Sequence, residues 1–266
     1  MKELLELSIL AAWNAGKEIM EVYRSDFSFE SKDDKSPLTA ADLKSHAAIK
    51  AALESTDYPI LSEEGKMIAY EERKSWNTFW LVDPLDGTKE FIKKNGEFTV
   101  NIALIKDRKP ILGVIYVPVT KKMYFGTIDS GSYCFDAPEN LDKNLSLQIS
   151  SAVKLPDNHS NRTDYSIVSS RTHSSPETET FIKQKEIQHG TVNLVNAGSS
   201  LKLCLVAEGK ADVYPRLAPT MEWNTAAGHA IVTCAGGRVY QYATNEDLVY
   251  NKENLLNPFF IAEISN

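Results

Sequence analysis

The stretch that decides the fold is residues 80–88, Trp-Leu-Val-Asp-Pro-Leu-Asp-Gly-Thr, in which an apolar run turns directly into acids. Aromatic and branched apolar residues at 79–82 predict a short buried strand. The proline and glycine that follow predict a turn at its end. Such a turn would direct the oxygens of Asp83, Asp86 and Thr88 toward one point. Hard divalent cations such as Mg²⁺ take oxygen ligands of this kind, although a solvated turn has the same composition.

Further acids lie at the ends of other predicted elements in the first half of the chain. They are Asp42 and Glu63, with Glu64 next to Glu63 in sequence. Each acid alone is more commonly a surface carboxylate. If they converge with Asp83 and Asp86, they would repel one another unless a metal balanced their charge. Hydrolysis of a phosphate ester by two or three metal ions requires such a cluster.

Two neighbouring groups extend the predicted site. The backbone carbonyl of Leu85 is a further hard oxygen for a metal. The hydroxyl of Thr88, beside a carboxylate such as Asp42, can accept a proton from an activated water and pass it on. The alternative is that Thr88 caps a helix that begins after Gly87. That helix N-terminus would itself direct N–H groups toward a phosphate.

The second half of the chain supplies cations and small residues. The segment 198–200, Gly-Ser-Ser, precedes a predicted helix that contains Lys202, which is a second candidate anion site. Arg216 follows a predicted strand, and His173 follows a Ser-Ser-Arg segment. Taken singly, each of these side chains is more often solvated or simply hydrogen-bonded.

The composition describes an ordinary globular protein. The 266 residues are 42% apolar and 24% charged, enough to bury a core in one large or two small domains. The net charge of −7 argues against a nucleic-acid scaffold but allows a small anionic ligand. No apolar run approaches the roughly 20 residues that span a bilayer, and the N-terminus lacks a signal-peptide pattern. Three isolated cysteines favour a reducing compartment, so we expect the cytoplasm, with peripheral attachment at the inner membrane as an alternative.

Hydrophobic patterns predict an α+β first half and an α/β second half. In the first half, helices are expected at 1–24 and 39–53, a hairpin or loop at 25–36, an irregular segment at 65–78 and an antiparallel sheet within 79–135. In the second half, the predicted strands are 165–169, 192–197 and 211–214, and the predicted helices are 176–185, 199–208 and 221–235. The polar stretch 136–163 predicts the boundary, which divides the chain into domains of residues 1–145 and 146–266.

Several segments together resemble the inositol monophosphatase superfamily of Mg²⁺-dependent, lithium-sensitive phosphatases. The signature is Asp-Pro-Leu-Asp-Gly-Thr at 83–88, with Glu63-Glu64 upstream and Trp-Asn-Thr-Ala-Ala-Gly at 223–228. The similarity extends along almost the whole chain. Thr-Lys-Glu-Phe at 88–91 and Gly-Ser-Ser-Leu-Lys at 198–202 resemble the bacterial 3′(2′),5′-bisphosphate nucleotidase branch, the CysQ type, which belongs to sulfur assimilation.

The resemblance implies a layered αβαβα sandwich and an enzyme that uses two or three Mg²⁺ ions. Metal-activated water would remove the 3′-phosphate of adenosine 3′,5′-bisphosphate and leave AMP and phosphate. The implied metal ligands are Glu63, Asp83 and the Leu85 carbonyl for one ion, and Asp83, Asp86 and Asn224 for another. The implied catalytic residues are Asp42, Thr88 and Glu63, and the implied substrate contacts are Gly87, Thr88, His173, Ser199, Lys202 and Arg216.

One position departs from the family pattern. The family carries an aspartate after the motif tryptophan, and this chain has Asn224, which removes one negative charge from the second metal site. The departure keeps a rival open, namely a catalytically weakened protein that binds nucleotides. Within the enzyme class, inositol monophosphate or another sugar phosphate is the alternative substrate. The sequence does not define the oligomeric state.

Overall fold

The computed structural model describes residues 1–25, 28–31, 37–157, 164–169 and 175–264. Within these ranges the helices are α1 (Lys2–Tyr23), α2 (Ala40–Leu53), α3 (Tyr70–Arg73), α4 (Thr88–Ile92), α5 (Leu141–Ser150), α6 (Pro176–His189), α7 (Leu201–Ala207) and α8 (Ala226–Cys234). The strands of the first half are β1 (Phe29–Ser31), β2 (Pro37–Thr39), β3 (Ile60–Ser62), β4 (Thr78–Asp86), β5 (Thr99–Lys106), β6 (Lys109–Val117), β7 (Lys122–Thr127), β8 (Gly131–Asp136) and β9 (Val153–Leu155). Those of the second half are β10 (Ser166–Ser169), β11 (Asn193–Asn196), β12 (Val213–Arg216), β13 (Arg238–Gln241) and β14 (Phe260–Glu263).

The first sheet has seven strands in the order β3-β4-β5-β6-β7-β8-β9. All neighbours are antiparallel, as predicted, except β3, which runs parallel to β4. This parallel pairing matters for the site, because Ser62 lies beside Val82 and the chain after both strands leaves from the same edge. The small hairpin of β1 and β2 agrees with the hairpin alternative for residues 25–36.

The second sheet has five strands in the order β11-β10-β12-β14-β13 and mixed direction. β10 is parallel to both β11 and β12, whereas β14 is antiparallel to both β12 and β13. The parallel strands follow from the alternation of strands and helices, because a helix must return the chain to the opposite end of the sheet.

Three hydrophobic clusters separate the layers. The first joins α1 and α2 to one face of the seven-stranded sheet, the second places α7 and α8 between the two sheets, and the third packs α6 on the outer face of the five-stranded sheet. The result is the layered αβαβα sandwich that the resemblance implies. No helix in the described residues is long and apolar enough to cross a membrane.

Small residues allow α8 to pack closely in the middle layer. A Cβ atom added to Gly228 would lie 2.3 Å from Leu203 Cδ1, and one added to Gly113 would lie 2.2 Å from the carbonyl oxygen of Ala227. Both distances are far below van der Waals contact. The small side chains at 226–228 therefore bring α8 against α7 and β6, as expected for a helix start of this composition.

Two expectations about elements were wrong. The single helix predicted at 221–235 is a 3-10 helix, Glu222–Asn224, followed by α8, because the first turn is held by residues from other parts of the chain. The segment 65–78, predicted to be irregular, contains the short helix α3. The polar stretch 136–163, for which only the domain boundary was predicted, contains α5 and β9, and β9 extends the first sheet. The division at 145/146 itself stays a prediction.

Candidate active site

The two acids of the signature lie at the irregular end of β4. The strand pairs regularly with β5 as far as Asp83 opposite Asn101, and its register then shifts before Asp86 pairs with Thr99. The backbone N–H of Leu85 donates to Asp83 Oδ1 at 3.1 Å, which fixes the turn. Both carboxylates lie at this end of the strand, close enough for the charge of Asp86 to act on Asp83.

Asp83 is a buried carboxylate surrounded by other acids. Burial raises its pKa well above the usual range, and the neighbouring charges of Glu63, Asp86 and Asp42 raise it further. A hydrogen bond from Asn224 opposes these effects. The four acids from three elements therefore lie near enough for their charges to act on Asp83.

Glu63 reaches this cluster from the end of β3. Its backbone N–H donates to the carbonyl oxygen of Val82 at 3.1 Å, which continues the parallel pairing with β4. One residue earlier, Ser62 Oγ lies 2.9 Å from His46 Nδ1. Burial lowers the pKa of His46, and the adjacent Glu64 opposes this effect. A neutral imidazole on α2 thus holds the strand end that presents Glu63.

Asp42 and Thr88 form a hydrogen-bonded pair. Thr88 Oγ1 lies 3.2 Å from Asp42 Oδ1 and 3.3 Å from the carbonyl oxygen of Leu85. Asp42 is buried in a capping box, in which its Oδ2 accepts from the backbone N–H and the hydroxyl of Thr39 at 2.7 and 2.6 Å. The helix cap predicted at Thr39 therefore also orients the carboxylate predicted to act with Thr88.

Asp86 is held by a pair of serines. Ser199 Oγ and Ser200 Oγ each lie 2.6 Å from Asp86 Oδ2. Asn101 Nδ2 donates to Ser200 Oγ at 2.8 Å from behind, and Thr99 Oγ1 lies 2.8 Å from Ser199 Oγ. Ser200 and Asn101 were missed as site residues; the Gly-Ser-Ser segment was a signal for the first, but nothing local indicated the second.

The backbone at this contact is unusual. Ser199 has a φ of +50°, in the left-handed region that side chains rarely adopt. Opposite it, Gly87 has a φ of +94°, and an added Cβ would lie 3.2 Å from Ser199 Cβ and 3.1 Å from the carbonyl oxygen of Glu97. Only glycine fits here without a shift, so Gly87 permits the close approach of the two halves of the site.

Asn224 faces Asp83 with its amide nitrogen. Its Nδ2 donates to Asp83 Oδ2 at 2.8 Å, while its Oδ1 accepts from the backbone N–H of Met221 at 2.9 Å. The Met221 contact requires an oxygen, so it defines which way the amide is turned. To ligate a metal beside Asp83 through oxygen, the amide would have to rotate and release Met221.

A cavity of about 830 Å³ opens above Asp86, Thr88 and Asn224. Lys202 and Arg216 line it, as the predicted substrate contacts require. Lys202 is buried; its Nζ lies 3.3 Å from the carbonyl oxygen of Ala197 and 5.8 Å from the ring centre of Tyr214. Arg216 donates through Nη2 to the carbonyl oxygen of Pro219 at 2.7 Å. His173 lies outside the described residues.

The donor set suits a hard cation, because it consists of carboxylate, carbonyl and hydroxyl oxygens near the buried carboxylate of Asp83. As the side chains stand, no three His, Cys, Asp or Glu side chains of the described ranges are close enough together to hold a metal ion. Asp42, Asp83 and Asp86 each accept hydrogen bonds from protein groups. A metal would compete with the donors to Asp83 and Asp86.

The sequence of this chain is similar to proteins of one family along nearly its whole length. The model of the inositol monophosphatase family matches residues 1–261. A 3′(2′),5′-bisphosphate nucleotidase CysQ from Salmonella typhimurium is 43% identical over 266 residues, which covers 98% of this chain and 100% of the relative. The nucleotidase CysQ of Escherichia coli K12 is also 43% identical, over 95% of this chain and 96% of that protein.

Solved structures agree. The crystal structure of CysQ from Bacteroides thetaiotaomicron, described as a bacterial member of the inositol monophosphatase family, superposes with a TM-score of 0.90 and 51% identity, covering 99% of this chain and 97% of that one. The suppressor protein suhB from Bartonella henselae has a TM-score of 0.75 at 22% identity, over 98% and 93% of the two chains. The latter similarity shows the fold alone.

Proposed function

This chain belongs to the inositol monophosphatase family, and from that membership we propose that it is a 3′(2′),5′-bisphosphate nucleotidase. It would remove the 3′-phosphate of adenosine 3′,5′-bisphosphate and release AMP and phosphate. The observation that carries this proposal is the cavity itself, which is lined by Asp86, Glu90 and Thr88 together with two cations, Lys202 and Arg216. Two cations apart from the acids suit a substrate with a second phosphate.

Metal dependence is general in the family, whose members usually take Mg²⁺. In this chain we propose Glu63, Asp83 and the Leu85 carbonyl as ligands of one ion, and Asp83 with Asp86 as ligands of a second. Asn224 would join the second set after turning its amide. When bound, two or three Mg²⁺ ions would supply Lewis-acid charge for the phosphate and lower the pKa of the attacking water.

The chain's own contribution to proton transfer would come from Thr88 and Asp42. The Thr88 hydroxyl can donate its proton to Asp42 Oδ1 while a lone pair on Oγ1 accepts a proton from water. Because Oδ2 of Asp42 already accepts two hydrogen bonds from Thr39, the carboxylate is held in one orientation. The pair can therefore relay a proton without rearranging.

Binding of the nucleotide would fall to the second half of the chain. We assign Lys202, Arg216 and Ser199 to the substrate, with Gly87 as the point of close approach and His173 as a further contact. Three free cysteines, Cys134, Cys204 and Cys234, agree with a cytoplasmic location, which is part of this proposal.

A phosphate-release panel tests the proposal. The substrates are adenosine 3′,5′-bisphosphate, its sulfated analogue, inositol monophosphate and fructose bisphosphate, each with and without Mg²⁺. We expect the highest kcat/KM for adenosine 3′,5′-bisphosphate. Without Mg²⁺ we expect no phosphate release from it. Preference for inositol monophosphate would favour the sugar phosphatase alternative, and binding without phosphate release would favour the weakened nucleotide-binding protein.

A further inference from the structure

Four cations line the cavity, and the mechanism above uses only two of them. The other two are Lys89 and Lys93, which line the same cavity as Lys202 and Arg216. Within the described part of the chain, none of the four is within ion-pair distance of a carboxylate. The four cations are therefore available to bind an anionic ligand in the cavity.

The short helix α4 presents the two extra lysines together. Lys89 lies in α4 and Lys93, four residues on, is the C-terminal cap of the helix with helical backbone angles, so the two side chains leave on the same face. The opposite face is anchored, since Phe91 is buried in the first hydrophobic cluster and Ile92 packs against it. Both lysines are exposed, and neither ammonium group makes a hydrogen bond to another described residue. They are long, solvated charges at the rim, unlike the buried Lys202.

Lys89 and Lys93 offset negative charge that would otherwise repel a phosphate group from the cavity. The chain carries a net charge of −7, and the cavity lining itself includes the carboxylates Asp86 and Glu90. An approaching phosphate group is repelled by both. A rim of cations over a low-dielectric cleft reverses the local potential and concentrates anions there.

We propose that Lys89 and Lys93 form a cationic wall that favours substrates with two phosphates over substrates with one. The inference rests on the proposed phosphatase function. Each phosphate ester carries a charge of about −1.5 to −2 at neutral pH. A bisphosphate therefore gains roughly twice as much as a monophosphate from the same two cations, because Coulomb energy scales with the charge.

The test compares two double variants of equal charge. Lys89→Gln/Lys93→Gln removes the wall, and Lys143→Gln/Lys183→Gln removes two exposed helical lysines that do not line the cavity. For each protein, kcat and KM are measured with adenosine 3′,5′-bisphosphate and with adenosine 3′-monophosphate, at low and high KCl. Both substrates present a 3′-phosphate, so only the second phosphate differs.

We expect the wall variant to raise KM for the bisphosphate about tenfold at low salt and for the monophosphate about threefold, with kcat unchanged. The difference should fade toward 1 M salt, where the Debye length is about 3 Å. The control variant should behave like the parent protein. An equal loss on both substrates, a loss that persists at high salt, or the same loss in the control would overturn the proposal.

A second measurement separates this inference from the proposed function. Calorimetry gives the Kd of adenosine 3′,5′-bisphosphate for the parent and both variants, whether or not phosphate is released. If the parent protein binds but does not hydrolyse the bisphosphate, the proposed function fails. The inference about Lys89 and Lys93 is still supported if Lys89→Gln/Lys93→Gln binds the bisphosphate more weakly than the parent protein and the difference shrinks at high salt. It is contradicted if the two Kd values are equal.

Discussion

Two buried polar regions, one around Glu222 and one around Asp83, differ in how their charges are balanced. Around Glu222, which is fully buried, the carboxylate accepts from the backbone N–H groups of Asn251 and Lys252 at 2.7 and 3.0 Å and from Lys252 Nζ at 2.5 Å. Arg73 closes this network on Asn251 at 2.8 Å. Around Asp83, by contrast, the nearest charges are other carboxylates.

The difference separates a structural network from a functional one. A buried charge that is paired and fully hydrogen-bonded fixes the conformation around it. A buried acid next to other acids costs stability, and proteins keep such an arrangement where they bind a cation or do chemistry. The 3-10 helix Glu222–Asn224 connects the two regions, since its first residue belongs to the Glu222 network and its last one contacts Asp83.

The largest expected effect comes from removing the charge of Asp83. Asp83→Asn should lower kcat/KM by at least about a thousandfold, roughly 4 kcal/mol of transition-state stabilisation, because a shared metal ligand is lost. Without Mg²⁺, the variant should unfold at the same or a higher temperature, since like-charge repulsion is relieved. Asp129→Asn, at an exposed turn, is the control. Near-normal Mg²⁺-dependent turnover of Asp83→Asn would contradict the assignment.

In the region around Glu222, by contrast, removing the carboxylate should lower the stability of the fold. Glu222→Ala removes the charged partner of Lys252 and leaves two backbone N–H groups without their acceptor, and we expect a loss of about 3 kcal/mol in the free energy of unfolding. This is the lower end of the usual range, because the Lys252 side chain is 22% exposed. Urea unfolding measures it. A change below about 1 kcal/mol would show that the network is not a structural anchor.

The sequence predicted the site where the information is local. The strand end at Asp83 and Asp86, the cap at Thr39 and the small residues before Gly228 each follow from nearby residues and their periodicity. Convergence of the acids followed only from their shared chemistry and from the family resemblance.

What could not be predicted depends on partners far apart in the chain. Ser200 meets Asp86 across 114 positions, and Asn101 meets Ser200 across 99. The break at Thr225 in the predicted helix 221–235 arises because Glu222 is bonded to residues 251–252. Similarly, α5 was missed because only two of its residues, Leu141 and Leu145, are buried, which gives a weak apolar pattern.

A smaller effect concerns the pH dependence of stability in the region around Glu222. Burial lowers the pKa of His229 to about 4, and its Nδ1 lies 2.9 Å from the hydroxyl of Tyr250. Between about pH 6.5 and pH 4 the unfolded chain therefore binds more protons at this position than the folded one. The contribution is complete above pH 6.5 and is lost as the pH falls.

We expect this loss to be about 2.5 to 3 kcal/mol between pH 7 and pH 4. His229→Gln retains a hydrogen-bonding side chain but cannot titrate, so its free energy of unfolding should fall less steeply over the same interval. Urea unfolding at pH 7, 6, 5 and 4 provides the comparison, and the difference between the two proteins removes the contribution of other groups. Parallel curves would show that His229 titrates normally in the folded protein.

The smallest and sharpest change is Asn224→Asp, which alters the contact between the two regions. The new carboxylate can still accept from Met221 N–H, but it cannot donate to Asp83, and it adds a fifth acid to the four already there. Without Mg²⁺ we therefore expect a loss of about 1 to 2 kcal/mol in the free energy of unfolding. With Mg²⁺ the added charge should strengthen the second site against a hard dication, so the Mg²⁺ concentration for half activity should fall about tenfold and kcat should rise.

The stability measurement and the Mg²⁺ titration together distinguish this role of Asn224 from a simpler one. If it only caps the 3-10 helix, aspartate would serve equally well, and neither stability nor Mg²⁺ dependence would change. Asn77→Asp, which adds the same charge at an exposed position, controls for a general effect of net charge. Thermal unfolding and phosphate release are measured across one Mg²⁺ titration for all three proteins. Superimposable activity curves would rule out metal ligation at position 224, and a stability loss that Mg²⁺ reverses would establish that the hydrogen bond from Asn224 substitutes for part of the cation's charge.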